Sequence, residues 1–169
     1  MAESSPRRKI AVILATDVVG YSTKMEENEV QTLKNLKACR NIIDGLVDEH
    51  HGRIFNTAGD SVLAEFQSAV EAVICGSEFQ NTIKERNNSV PEEEQMEFRI
   101  GINMGDVVIE GDNLYGEGVN VAARLEALAQ PGGVCLSKNV HEIVNKKTNF
   151  QFHDLGEQKV KNTVLHAVD

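Results

Sequence analysis

The sequence predicts an α+β fold: a ferredoxin-like sandwich whose mostly antiparallel sheet has helices packed on one face. Three observations point there. The continuous apolar run Ile10–Ala15 has strand length and reads as a central strand buried on both sides. Two stretches of helical periodicity follow it. Each of these leads into a pair of short strand-like runs joined at a Gly-Asp step, so the order is strand, helix, hairpin, helix, hairpin.

The first helix is predicted from about Glu26 to His50, where Leu33, Leu36, Cys39, Ile43 and Leu46 recur at helical spacing and Gly52 supplies a stop. Strands Arg53–Thr57 and Val62–Phe66 flank Ala58-Gly59-Asp60-Ser61, a sequence suited to a hairpin turn. Ser68 is the expected N-cap of a second helix toward Arg86, with Glu71 three residues on in the capping-box position. Asn87 to Gln95 reads as a polar, acidic loop. Glu97–Met104 and Val107–Glu110 form a second expected hairpin across Gly105-Asp106, followed by a loop spaced by Gly111, Gly116 and Gly118. A helix from Val119 to Ala129 stops at Pro131-Gly132-Gly133. A short strand at Val134–Leu136, a helix from about Lys138 to Asn145, and strands near Phe150–Leu155 and Val164–Val168 complete the chain.

The 169 residues, 41% apolar and 25% charged, suit one soluble domain with a single core. No window approaches the roughly 20 apolar residues of a membrane span, so a cytoplasmic protein without a membrane segment is expected. Cys39, Cys75 and Cys135 are odd in number and lie among apolar neighbours, which suits reduced, buried thiols. A net charge of −9 speaks against a nucleic-acid surface, because neutralising phosphates there needs a basic stripe. A phosphorylated small molecule is compatible with that charge if cations are concentrated locally. His50-His51 and His141 have no ligand spacing around them and read as structural or solvated.

Asp17 and Asp60 each stand at a strand end. If those strands are neighbours, the two carboxylates converge and offer hard oxygen ligands suited to magnesium; each taken alone reads equally as a turn or helix cap. Val18-Val19-Gly20-Tyr21-Ser22-Thr23 links strand to helix, a junction whose backbone N–H groups can cradle phosphate. Asn120 and Arg124 are one helical turn apart and share a face, either as a polar surface or as a paired amide and guanidinium. Arg99 and Lys161 stand where they could reach a polyphosphate or serve as surface charges.

Taken together, Ala15-Thr-Asp-Val-Val-Gly-Tyr-Ser22, Thr57-Ala-Gly-Asp60, Phe98-Arg-Ile-Gly-Ile-Asn-Met-Gly105 and Gly116-Glu-Gly-Val-Asn-Val-Ala-Ala-Arg-Leu125 resemble the class III adenylyl/guanylyl cyclase catalytic domain. The resemblance runs from about Lys9 to the C-terminus, with residues 1–8 as a flank, and closes on Asp154-Leu-Gly-Glu-Gln-Lys-Val-Lys-Asn162. It implies that Asp17, Asp60 and the Val18 carbonyl hold two magnesium or manganese ions, and that Val19, Gly20, Tyr21, Ser22 and Thr23 bind the β- and γ-phosphates. Lys161 and, less directly, Arg99 would also contact phosphate. Asn120 would orient the ribose, and Arg124 would stabilise charge developing on the α-phosphate. Because the family's aspartates and its Asn-Arg pair come from different subunits, the resemblance also implies a homodimer with shared sites.

The family selects its base at two positions, occupied here by Asn56 and Asn113. Neither residue matches the lysine and aspartate or threonine usual for ATP, nor the glutamate and cysteine usual for GTP. An asparagine both donates and accepts, so it suits either base edge. ATP is the expected substrate and GTP the second choice. A catalytically silent nucleotide-binding or dimerisation module is the alternative. Diguanylate cyclases and polymerases use related palms, but this chain has no Gly-Gly-Asp/Glu-Glu-Phe segment and no basic template groove.

Overall fold

The computed structural model describes residues 6–148, 150, 154–160 and 163–168. The elements are β1 (Arg7–Val18), α1 (Tyr21–Glu27), α2 (Glu29–Glu49), β2 (Arg53–Ala58), β3 (Ser61–Phe66), α3 (Ala69–Asn88), β4 (Phe98–Glu110), β5 (Asn113–Tyr115), α4 (Glu117–Leu128), β6 (Val134–Ser137), α5 (Lys138–Val144), β7 (Asp154–Val160) and β8 (Thr163–Val168). The sheet runs β2-β3-β1-β4-β6-β8-β7, with β5 paired to β4 outside that path. Its first four strands have the ferredoxin-like order, and every pairing except parallel β4–β6 is antiparallel.

Alternation along β1 explains why two layers of helix are needed, rather than one. Val12, Leu14 and Val18 face the main core with α2, α3 and α5, where Phe79 and Phe98 meet edge to face at 5.0 Å. Ala11, Ile13 and Ala15 point the other way and pack on Val119 and Ala122 of α4. A strand apolar on both faces must be covered on both. The helices therefore do not all lie on one face: α4 caps the opposite side, and this is the layer that shapes the site.

Three local differences from the sequence reading have identifiable causes. The first long helix is broken at Asn28, whose extended backbone (φ −160°) and side chain, accepting from the Gln31 N–H at 3.1 Å, start α2 at Glu29 and leave a short α1 before it. Gly105-Asp106 is not a turn, because β4 continues through it with Gly105 opposite Ala11 and Asp106 opposite Ile10. The hairpin comes one step later, at Gly111-Asp112, where Gly111 takes a φ of 61° and β5 folds back on β4. β7 spans Asp154–Val160, and residues 151–153 of the strand expected near Phe150–Leu155 lie outside the described residues.

The expected N-cap is present, with the Ser68 hydroxyl accepting from the Glu71 N–H at 3.2 Å. The Glu71 carboxylate goes elsewhere: it binds His50 Nδ1 at 2.7 Å, while Glu78 binds Nε2 at 3.0 Å. His50, expected to be structural or solvated, thus ties the end of α2 to α3. All three cysteines are buried thiols, and burial raises Cys39 and Cys75, the latter to about 12, so both stay protonated. Among the described residues no helix is long and apolar enough to cross a membrane.

Candidate active site

The site is assembled where β1 ends. Asp17 is the next-to-last residue of β1 and has the parity of Ala11, Ile13 and Ala15, so it faces the α4 layer. Asp60 is the second residue of the two-residue β2–β3 loop, after Gly59, whose φ of 59° is what such a loop demands. The turn brings Asp60 to the end of β1, where its Oδ2 accepts the Val18 N–H at 3.0 Å. Asp17 and Asp60 are close enough that the charge on Asp60 raises the pKa of Asp17. The convergence expected if the strands were neighbours is therefore present: β1 and β3 pair directly.

Two further groups share this volume. Arg99 lies opposite Asp17 in the β1–β4 register and on the same face, while Thr16 fixes that register by donating to the Arg99 carbonyl at 2.7 Å. Glu126 of α4 reaches the same place and is only 9% exposed. Burial raises the Asp17 carboxyl above the ordinary aspartate range, offset by a hydrogen bond from Glu126 and by the Arg99 charge. Burial, the bond to Asp17 and the negative charge of Asp17 push the Glu126 carboxyl up to about 9. Arg99 Nε is buried without a hydrogen-bond partner. The two carboxylates of Asp17 and Asp60 and the neighbouring Val18 backbone carbonyl are oxygen donors of the kind a divalent cation of the magnesium class requires, so these residues fit such an ion.

The α4 helix presents opposite sides to two volumes. Val119, Ala122, Leu125, Glu126 and Ala129 form its buried stripe. At 100° per residue, Asn120 and Arg124 lie roughly opposite that stripe; Asn120 is exposed and Arg124 half-buried. The structure brings Asn120 and Arg124 together on a face directed away from the chain's own sheet.

The turn after β1 has Gly20 in the left-handed region (φ 66°) as the N-cap of α1, with no side chain capping it. Helical geometry leaves the N–H groups of Tyr21, Ser22 and Thr23 without intrahelical acceptors. The Val19 N–H is already engaged, donating to the Glu97 carbonyl at 2.8 Å, and the Tyr21 ring packs against the main core. A cleft of about 660 Å³ opens beside this turn, lined by Val19, Lys24, Glu27, Glu92 and Glu97. Lys161 lies outside the described residues.

Asn56 and Asn113 occupy neighbouring elements. A bulge in β2 sets Asn56 opposite Leu63, and so on the α4 side of the sheet. The Arg53 guanidinium links β2 to the β4–β5 turn by donating to the Asp112 carbonyl at 2.6 Å. The Asn113 amide is occupied within β5, donating to the Tyr115 hydroxyl at 2.9 Å and accepting from the Leu114 N–H at 2.9 Å.

Residues 3–167 match the adenylate and guanylate cyclase catalytic domain family. The chain belongs to that family. This cyclase domain is 47% identical over 163 residues to a protein of Rhizobium meliloti (strain 1021) whose provisional name is adenylate cyclase 3; the alignment covers 96% of this chain and 28% of that protein. The chain thus spans less than a third of that relative's length. Among solved structures, an adenylate/guanylate cyclase/hydrolase from Silicibacter pomeroyi superposes with a TM-score of 0.90 at 41% identity, covering 97% of each chain. The guanylyl cyclase Cya2 superposes with a TM-score of 0.80 at 25% identity, over 98% of this chain and 92% of that one.

Glu126, buried beside Asp17, is a residue that the sequence reading passed over. A signal for it exists: it falls on the stripe Val119, Ala122, Glu126, Ala129, where an ionisable residue interrupts the face a helix ordinarily buries.

Proposed function

We propose that this cyclase domain converts ATP, with GTP as the second choice, into a 3′,5′-cyclic nucleotide and pyrophosphate, working as a homodimer with two shared sites. The observation that supports the reading best is the convergence of Asp17 and Asp60 at the Val18 end of β1. In the reaction the ribose 3′-oxygen bonds to the α-phosphorus, the bond from that phosphorus to the bridging oxygen breaks, and pyrophosphate leaves with the electron pair.

Asp17, Asp60 and the Val18 carbonyl would hold two magnesium or manganese ions, which supply the positive charge that acidifies the 3′-hydroxyl and offsets the charge on the pyrophosphate. The N–H groups of Gly20, Tyr21, Ser22 and Thr23 face the β- and γ-phosphates; Val19 shapes the turn, since its own N–H is bonded to Glu97. Asn120 orients the ribose and Arg124 meets the charge growing on the α-phosphate, an effect commonly worth about 2.7–4 kcal/mol per well-placed donor. Arg99 stands beside Asp17 rather than out toward solvent, so it steadies the metal carboxylate and contacts phosphate only secondarily. Lys161 adds a phosphate contact.

The outward face of α4 supports the dimer. A chain whose Asn120 and Arg124 point away from its own Asp17 completes a site by lending them to a neighbour. Asn56 and Asn113 read the base, and the provisional name of the 47% identical relative supports ATP. The locally bonded Asn113 amide supports a second reading, a silent module that binds nucleotide without turning it over.

Turnover of ATP and GTP in parallel, with magnesium and then manganese, separates these readings by chromatography. Cyclic AMP with pyrophosphate is the expected outcome. Nucleotide binding by a confirmed dimer with no cyclic product from either base would establish the silent module.

A further inference from the structure

The β4–β5 hairpin carries Asn113, and little of its own structure holds its turn in place. β5 is three residues long and pairs with β4 off the path of the main sheet; a two-stranded ribbon is marginal by itself. Leu114 is buried in the core on the α4 side, but Gly111 and Asp112 at the turn are exposed. Asn56 stands on β2, which β3 and β1 separate from β4 in the sheet order. The turn nonetheless comes back beside β2, and a side chain makes the connection. Arg53, directly opposite Glu65 in the β2–β3 register, donates to Glu65 Oε1 from Nε at 2.9 Å and from Nη2 at 2.6 Å, while its Nη1 donates to the Asp112 carbonyl at 2.6 Å. The second oxygen of Glu65 lies 3.0 Å from Lys9 Nζ, so the anchor is tied to β1 as well. Arg53 faces Glu65 and Asn56 faces Leu63, two residues apart on β3; the bulge therefore puts both on one side of the sheet although they are three residues apart on β2.

We propose that Arg53 is a positioning residue for base recognition: anchored on Glu65, it holds the Asp112 carbonyl and so fixes the separation between Asn113 and Asn56. This rests on the reading of those two asparagines as the pair that meets the base. A half-exposed ion pair contributes little to stability. What sets Arg53 apart from an ordinary cross-strand pair is its third hydrogen bond, which crosses to another hairpin. The planar guanidinium presents its donors in a fixed fork, so the line from Glu65 to Asp112 is a stiff one. Asparagine needs that stiffness, because its side chain is short and a drift of the turn by about 1 Å takes an amide out of hydrogen-bond range of a purine edge. Arg53 itself touches no base in this arrangement; it acts through the backbone of Asp112 on the residue that follows.

The test uses the full chain with Mn²⁺ and two ligands titrated by isothermal calorimetry: 3′-deoxyATP, which lacks the attacking hydroxyl and binds without turnover, and tripolyphosphate, which lacks the base. Arg53→Ala is expected to weaken 3′-deoxyATP by about 3–10-fold, the scale of one net hydrogen bond, to leave tripolyphosphate unchanged, and to move the melting temperature little, as for other exposed ion pairs. Equal loss for both ligands would make Arg53 a phosphate-attracting charge or a folding element. Equal 3′-deoxyATP affinity in Arg53→Ala and the parent would make it a surface pair. Either result overturns the proposal. Asn56→Ala and Asn113→Ala separate it from the reading beneath: 3′-deoxyATP weakened in either of these but not in Arg53→Ala overturns only the positioning role. Affinity unchanged in both, or no 3′-deoxyATP bound by the parent, overturns the base assignment and the positioning role together.

Discussion

Gly101→Ala puts the contact between α4 and the sheet under direct strain. The added methyl would meet the Glu126 nitrogen at 2.2 Å, the Ala122 carbonyl at 2.3 Å and the Glu126 Cα at 2.8 Å, all backbone atoms with no rotamer to escape into. Ordinary contact begins near 3.4 Å, so α4 has to withdraw by about 1.2 Å, the difference between 3.4 and 2.2. Forced overpacking of this kind costs about 1–3 kcal/mol, which in a chain of this size lowers the melting temperature by about 2–12 °C. Because the shift carries Glu126, Asn120 and Arg124 with it, turnover should fall further than stability does, by up to about 100-fold for a 1 Å displacement. The control is Gly45→Ala in the C-terminal part of α2, where an added methyl meets nothing within 4 Å. There the same substitution should stabilise by about 0.5–1 kcal/mol, since glycine is a poor helix former. Thermal melts and a cyclic-nucleotide assay on both variants decide the matter: a Gly101→Ala protein as stable and as active as the parent would refute the close seating of α4.

Asp17→Ala and Asp60→Ala should each abolish metal-dependent turnover while leaving far-ultraviolet circular dichroism unchanged; full activity in either removes that residue from the metal site. Mixing Asp17→Ala protein with Arg124→Ala protein should restore part of the activity, because one site of the heterodimer keeps every group; no recovery in a heterodimer shown to form by native mass spectrometry would count against shared sites. Burial works against a charged His50, but the hydrogen bonds and charges of Glu78 and Glu71 outweigh it and raise its pKa in the fold. The stabilisation this pair of contacts provides is therefore complete below the unfolded histidine value of about 6.5 and fades as pH rises through the higher folded value. Urea unfolding at a series of pH values should show that decline in the parent and a flatter profile in His50→Gln.

Elements with a strong local signal were readable in advance. The apolar run of β1, the periodicity of α2 and α3, and the Ser68 cap each follow from a few neighbouring residues, and the structure has all of them. The three Gly-Asp steps show where local reading stops. At Gly59-Asp60 and Gly111-Asp112 the glycine is needed for positive φ in a two-residue loop. At Gly105-Asp106 the strand runs straight through, and the glycine answers a packing need instead, since a Cβ there would crowd Gly118 Cα at 3.3 Å and the Asn103 amide at 3.1 Å. One dipeptide serves two physical purposes, and only the tertiary partner distinguishes them. The convergence of Asp17 and Asp60 was legible because each ends a strand-like run. The burial of Glu126 beside them was not, because it depends on how closely a helix lies over a glycine two strand positions from Arg99. The two glutamates on His50 were missed for a related reason, being 21 and 28 residues away along the chain.

Gly118 makes a second contact like that at Gly101: a Cβ there would stand 2.7 Å from the Asp106 carbonyl and 2.8 Å from the Val107 side chain. With its first turn seated at Gly118 and its later turns on Gly101, α4 is fastened to the sheet at two points of close approach, on either side of the Val119 and Ala122 packing. It can neither roll nor slide without collision, so helix and sheet travel as one rigid body. In the proposed dimer, a regulatory signal could then change the geometry of the shared sites only by rotating one whole subunit against the other.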